Sequence, residues 1–291
     1  MSLALVTALL ASPAAIRPSF GDAPDLGALN PGDVVRAGGL SVQVPDPDGA
    51  AWAAALTVDG TEEVLGVETA PDGAVEVFHS APETFGGGSD DGQIRESACG
   101  DSAYALTGTK WTKRYEWYYK ASSTPDGISD SDAEGALRRA GDNITHADND
   151  CGLSDKVSAT IAYQGTTSKG TNIGSDGGCN AKDGKNVAAF GDLPSAYLGI
   201  TCWWSRNGSN TESDLKLNKT DYGWYINKPN NCSGKWGVES AATHEFGHVF
   251  GLLSVSESLH PALTMSMIIG ACQGSEKTLG LGDIDGLQAL Y

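Results

Sequence analysis

Six cysteines, all between residues 99 and 272, constrain this chain more than any other feature of its sequence. Cys99, Cys151, Cys179, Cys202, Cys232 and Cys272 include no C-x-x-C pair, which disfavours a zinc ribbon or a dithiol redox site. An even set of this kind forms disulfides in an oxidising compartment. Fifteen pairings exist for six cysteines. The sequential one is our expectation: Cys99 with Cys151, Cys179 with Cys202, and Cys232 with Cys272. Each bridge would contribute about 2–4 kcal/mol, mainly by constraining the unfolded chain. Buried free thiols are the alternative reading. A chain of 291 residues can bury a full core, so it does not need bridges merely to fold.

The N-terminus agrees with an oxidising destination. Leu3 to Ala11 form a short apolar run followed by Ser-Pro-Ala-Ala, which has the character of a secretory signal, although it lacks the usual basic start. Residues 1–24 therefore read as a signal peptide or leader, and the protein as secreted. The run is too short to span a bilayer, which takes about 20 residues, and no other segment is long and apolar enough.

Charge is spread unevenly. Lys and Arg number 19 against 37 Asp and Glu, a net charge of −18. Residues 1–98 carry −12 of it (15 acids, 3 bases) and residues 99–291 carry −6 (22 acids, 16 bases). The acid excess argues against nucleic acid, whose phosphates need clustered Lys and Arg, and against anionic membranes. Solubility explains it, and a monomer is expected. A Gly/Asp stretch, Phe85 to Gly92, reads as a linker. The layout expected is a leader, an acidic segment with linker over 25–92 that is a candidate propeptide, and a cysteine-bearing domain over 93–291.

In the front segment Leu40–Val44, Glu63–Val67 and Ala74–Phe78 read as strands, with a hairpin turn at Pro71-Asp-Gly73. The back domain opens with an aromatic strand within Lys110–Tyr119, whose stripe reads as core. Ser131 and Glu134 have capping-box spacing before a helix over 132–145. Strands follow at Val157–Tyr163, Val187–Phe190, Tyr197–Trp204 and Leu215–Leu217, with a short piece at Trp224–Ile226. Helices are expected over 238–252 and 283–291, the latter with Asp283 and Asp285 at its start, where carboxylates suit unpaired N–H groups. This order suits an α+β fold.

The chemistry is concentrated in Thr243-His-Glu-Phe-Gly-His-Val-Phe-Gly251. Four residues are nearly one helical turn, so His244 and His248 project from one face. Two neutral imidazoles suit Zn²⁺, and Glu245 stands beside them as a general base. Zinc lowers the pKa of a bound water towards about 7, and the glutamate takes its proton during attack on a carbonyl. Gly251 can end the helix in a left-handed turn. Met265, in Leu263-Thr-Met-Ser266, follows as a candidate structural methionine turn.

These motifs give 238–291 a resemblance to the zinc helix, methionine turn and final helix of matrixin-like metzincins, particularly compact secreted bacterial members. The tail Leu279–Tyr291 is similar to the closing helix of that family, and Asp214–Asn218 to the strand before its zinc helix. The resemblance covers about 110–291 by layout. It implies a twisted, mostly parallel sheet, one catalytic Zn²⁺, and an endopeptidase whose peptide substrate lies extended along an edge strand.

Three departures matter. The position of the third zinc ligand is Ser254, a poor ligand, and His260, with Glu257 behind it, is the nearest replacement. Only His79 and His146 remain outside the motif, so a second structural zinc is not expected. The front segment has no cysteine that could cap the metal. A catalytically inactive binding or inhibitory module on the same fold, and a hydrolase of another H-E-x-x-H type with a distant glutamate ligand, are the competing readings. Ser266 to Cys272, with Met267, Ile268 and Ile269, would wall the specificity pocket. Asp148, Asp150, Asp176 and Asp183 lie in loops that could bind calcium, and solvated turns explain them equally well.

Overall fold

A computed structural model of the chain describes residues 29–58, 63–80, 96–267, 269–274 and 277–291. The leader and the linker at 85–92 lie outside the described residues. In chain order the front contributes β1 (Val34–Ala37), β2 (Leu40–Gln43), β3 (Gly49–Thr57), β4 (Glu63–Thr69) and β5 (Val75–Ser80). Then come β6 (Ala105–Leu106), β7 (Tyr115–Tyr119), α1 (Asp130–Thr145), β8 (Ile161–Thr166), β9 (Gly178–Cys179) and β10 (Asn186–Gly191). The remainder is β11 (Tyr197–Arg206), β12 (Ser209–Asn218), β13 (Gly223–Tyr225), β14 (Lys235–Gly237), α2 (Val238–Val249), β15 (Leu252–Leu253) and α3 (Leu281–Leu290). The protein is mixed α+β.

Eight strands form the main sheet in the order β5-β4-β3-β11-β12-β10-β7-β8. The pairings β12–β10, β10–β7 and β7–β8 are parallel. The pairings β5–β4, β4–β3, β3–β11 and β11–β12 are antiparallel. The sheet is thus mixed, and not mostly parallel as expected. The front strands cause the difference: β3–β4 and β4–β5 are hairpins and β3 lies antiparallel on β11, whereas parallel pairs need crossovers such as β7–α1–β8. The break in charge and cysteine content does not divide this sheet, because β3 of the acidic segment pairs with β11 along its length.

Strand β3 was not legible as a strand. Its sequence, Gly-Ala-Ala-Trp-Ala-Ala-Ala-Leu-Thr, is rich in alanine, a residue depleted in strands, and shows no alternation. It is buried on both faces: Ala51, Ala53 and Ala55 pack against the small sheet β1-β2-β9, and Ala50, Trp52 and Ala54 pack with Phe78, Trp203 and Leu253. Trp52 fits there only because Gly66 opposite has no side chain; a Cβ at Gly66 would overlap the indole.

The two faces of the sheet carry separate cores. On one, Tyr115, Trp117 and Tyr119 alternate inward and pack with α1, α2 and α3, as an aromatic core stripe should. Gly141 lets α1 approach β8; a Cβ there would stand 2.5 Å from Ile161 Cδ1. On the other face, Ala51, Ala53 and Ala55 of β3 and Ile200 and Cys202 of β11 meet Val35, Leu40 and Val42 of the small sheet β1-β2-β9.

The three disulfides join Cys99 to Cys151, Cys179 to Cys202 and Cys232 to Cys272, with Cα separations of 5.3, 5.8 and 5.7 Å. The sequential pairing holds. Among the described residues no helix is long and apolar enough to cross a membrane. The cap of α1 is Ser129 and not Ser131: its Oγ accepts from the Asp132 N–H at 3.1 Å and donates to the Asp132 carboxylate at 2.6 Å. The helix therefore starts earlier, at Asp130.

Candidate functional site

Helix α2 places His244, Glu245 and His248 at 0 % exposure between the main sheet and the chain that follows it. The imidazoles meet edge to face, with centroids 4.8 Å apart. Each is oriented by a backbone carbonyl: His244 Nδ1 lies 2.9 Å from Thr264 O, and His248 Nδ1 lies 3.0 Å from Leu252 O. A carbonyl oxygen only accepts, so both Nδ1 atoms carry the hydrogen. Both Nε2 lone pairs then point at the same space, 3.1 Å apart. Burial keeps the rings neutral. It lowers His244 to about 4, and lowers His248, with help from the neighbouring His244 charge, to about 3.

The pair fits a metal by its chemistry. Two nitrogens each about 2.0–2.1 Å from one tetrahedral ion stand about 3.3 Å apart. The third group at the pair is the Ser254 hydroxyl, 3.3 Å from His244 Nε2. Gly251 turns the chain back to put it there. Its φ of +94° is left-handed, and a Cβ would stand 2.5 Å from Thr109 O, so both conformation and space call for glycine. His260 is not brought to the pair, contrary to expectation. Asp101 holds its Nδ1 at 2.9 Å, and that hydrogen bond fixes the ring. Glu257 accepts from the Ser266 hydroxyl. Among the described residues no three His, Cys, Asp or Glu side chains converge to hold a metal ion.

Glu245 faces β11. On one face of that strand lie, two residues apart, Gly199, Thr201 and Trp203. The Thr201 hydroxyl donates to Glu245 Oε2 at 2.5 Å. A Cβ at Gly199 would overlap the Glu245 carboxylate. The Trp203 indole lies parallel to the His248 ring, 6.2 Å away at 4°. These three residues were missed by sequence reasoning. Glycine inside a strand is the one signal that pointed to a close approach there.

Met265 packs under the helix, where a Cβ at Gly247 would overlap its sulfur. The turn that carries it is held by the buried carboxylate of Asp283, the third residue of α3. That carboxylate accepts the N–H groups of Gly280 at 2.8 Å, Thr264 at 2.9 Å and Met265 at 3.0 Å. Burial raises Asp283 to about 6. Asp283 was legible as a helix-start carboxylate and does more: through Thr264 it positions the carbonyl that orients His244.

Of the residues expected to wall a specificity pocket, Ile269 is buried in the core, Met267 is half-buried, and Ile268 lies outside the described residues. Asp150 accepts from Thr278, Asp176 from the Gly178 N–H and Asp183 from the Lys185 N–H. No protein-family model matches the chain, and no curated protein matches it.

Proposed function

We propose that this chain is a secreted, zinc-dependent endopeptidase of matrixin-like metzincin type that acts on extended peptide or protein substrates. The observation that carries the reading is the convergence of His244 and His248 Nε2, 3.1 Å apart, with both Nδ1 hydrogens given to carbonyls. The two histidines would hold the ion, with Met265 as the apolar floor beneath their helix. Zinc bound there supplies Lewis-acid activation of water and of a peptide carbonyl. Glu245 takes the proton from the attacking water and delivers it to the leaving amine. Thr201 keeps the carboxylate aimed by donating to Oε2. Three disulfides support an oxidising, extracellular setting.

Ser254 favours one second reading, a binding or inhibitory module that has lost catalysis, because a neutral hydroxyl is the third group at the pair. Metal analysis of the purified protein, joined to a casein assay with and without a zinc chelator, separates the two. Near one equivalent of zinc and chelator-sensitive hydrolysis are expected. Zinc near zero and no hydrolysis would leave the module.

A further inference from the structure

A cavity of about 350 Å³ lies on the face of the main sheet away from α2, where β3 begins and β11 finishes. Its origin is a parting of two strands. The parallel pairing of β2 with β9 joins Ser41 to Gly178 and Val42 to Cys179, and ends there. Beyond it the two chains take different partners. The Val44 N–H donates to Asp33 O at 2.8 Å, and the Asn180 N–H donates to Asn172 O at 2.7 Å. Val44 lines one side of the gap, and Ala181 and Lys182 the other. Trp204 and Arg206, two residues apart on β11 and so on one face of it, close the back.

Three prolines, Pro31, Pro45 and Pro47, complete the walls. A proline ring fixes φ and leaves no N–H to satisfy, so these walls are stiff and largely apolar. The turn after Pro45 is tight: the Gly49 N–H donates to Asp46 O at 3.0 Å, and a Cβ at Gly49 would stand 2.7 Å from that oxygen. Three exposed charged side chains border the same space, Asp46, Lys182 and Arg206. Among the described residues none of the three is in an ion pair, and Lys182 Nζ makes one long contact, 3.4 Å, to Thr211 Oγ1. Two cations and one carboxylate leave the lining at +1 (+2 − 1), on a chain whose net charge is −18. What sets these cations apart from ordinary solvated ones is the rigid recess they share. A local reversal of sign inside it matches a ligand with one negative charge.

We propose that this cavity binds a small monocarboxylate with an apolar or aromatic body. The Arg206 guanidinium offers the planar fork that matches a carboxylate, and Lys182 adds a point charge. The prolines, Val44 and Trp204 receive the body. The volume sits at the lower end of the range of about 300–1,000 Å³ common for small-molecule sites, so the ligand is small. Trp204 faces the side of the sheet opposite to Trp203, which stacks on His248. The cavity is therefore separate from the histidine pair, and the proposal stands whether or not the chain is a peptidase.

Isothermal titration calorimetry of the full chain with 3-phenylpropanoate tests it, beside the uncharged 3-phenylpropanamide. The carboxylate is expected to bind, and the amide to bind at least about tenfold more weakly. R206Q should weaken carboxylate binding at least about tenfold, and K182Q should also weaken it. D46N removes a like charge and should tighten it. A181F fills the cavity without changing its charge and should abolish binding, with a near-UV circular dichroism spectrum like the parent's. K113Q alters a cation outside the cavity and should leave binding unchanged. Equal binding of the two probes, or undiminished binding by R206Q or A181F, overturns the proposal. No binding by the parent chain at about 10 mM carboxylate does the same. Binding that survives R206Q and disappears with a zinc chelator would belong to the histidine pair, and it too overturns the proposal.

Discussion

The carboxylate of Asp283 receives the Met265 N–H at 3.0 Å, across 18 residues of chain, and so fastens the last helix to the turn beneath the histidine pair. The same carboxylate takes the Thr264 N–H, while the Thr264 carbonyl orients His244. Asp283→Ala leaves three buried N–H groups without this acceptor and should cost about 3 kcal/mol in urea unfolding. Asp283→Asn keeps one acceptor oxygen and should cost less. Equal stability of the parent and both variants would show that the turn does not depend on Asp283.

Glu245→Gln preserves size and the histidine pair but removes the proposed base. Hydrolysis of casein should fall about 10²–10⁴-fold with bound zinc unchanged. Parental activity in that variant would sink the mechanism.

Ser254→His puts an imidazole in place of a hydroxyl that stands 3.3 Å from His244 Nε2. Zinc affinity, measured against a chromophoric chelator, should rise at least about tenfold. Activity should rise with it. Unchanged affinity would mean that position 254 does not face the ion.

Gly199→Ala places a methyl where the Glu245 carboxylate now lies. A displacement near 1 Å is worth about 10²-fold in rate, so kcat should fall while zinc content and the circular dichroism spectrum hold. Rates equal to the parent's would show that the carboxylate moves aside at no cost.

Asp214 gives a pH signature away from the site. Burial raises its carboxyl to about 8, although it accepts the Asn172 N–H at 2.5 Å and the Val187 N–H at 2.8 Å. The folded state keeps a proton that the unfolded state loses near 3.8. Stability linked to this group is complete below that value and declines as pH rises to about 8, by at most about 1.4 kcal/mol per pH unit. Asp214→Asn has no such slope. Its Tm should gain on the parent's between pH 4 and 8, and a constant difference across that window would refute the linkage.

How much was legible follows from where each residue's partner lies. His244, Glu245, His248 and Gly251 are read from local spacing, because one helical turn and one reversal fix them. Met265 is read from its distance beyond that helix. Thr201 and Asp283 meet their partners 44 and 18 residues away, and no local pattern encodes those contacts. Strand β12 shows the same limit. Only Leu215–Leu217 reads as a strand, yet it spans Ser209–Asn218. Its polar half is buried because Glu212 and Asp214 accept backbone N–H groups from residues 172–187. The position of His260 shows the same limit: the carboxylate that holds it lies 159 residues earlier.

The bridge between Cys179 and Cys202 has a bearing on Glu245 that its position on the far side of the sheet conceals. Cys202 stands between Thr201 and Trp203 and points away from them. Sliding β11 by one residue against its neighbours would turn all three to the wrong side. A sulfur–sulfur link at Cys202 makes that slide a matter of breaking a covalent bond. Oxidation at one surface of the sheet thereby acts as a gauge that sets which hydroxyl meets the glutamate at the other.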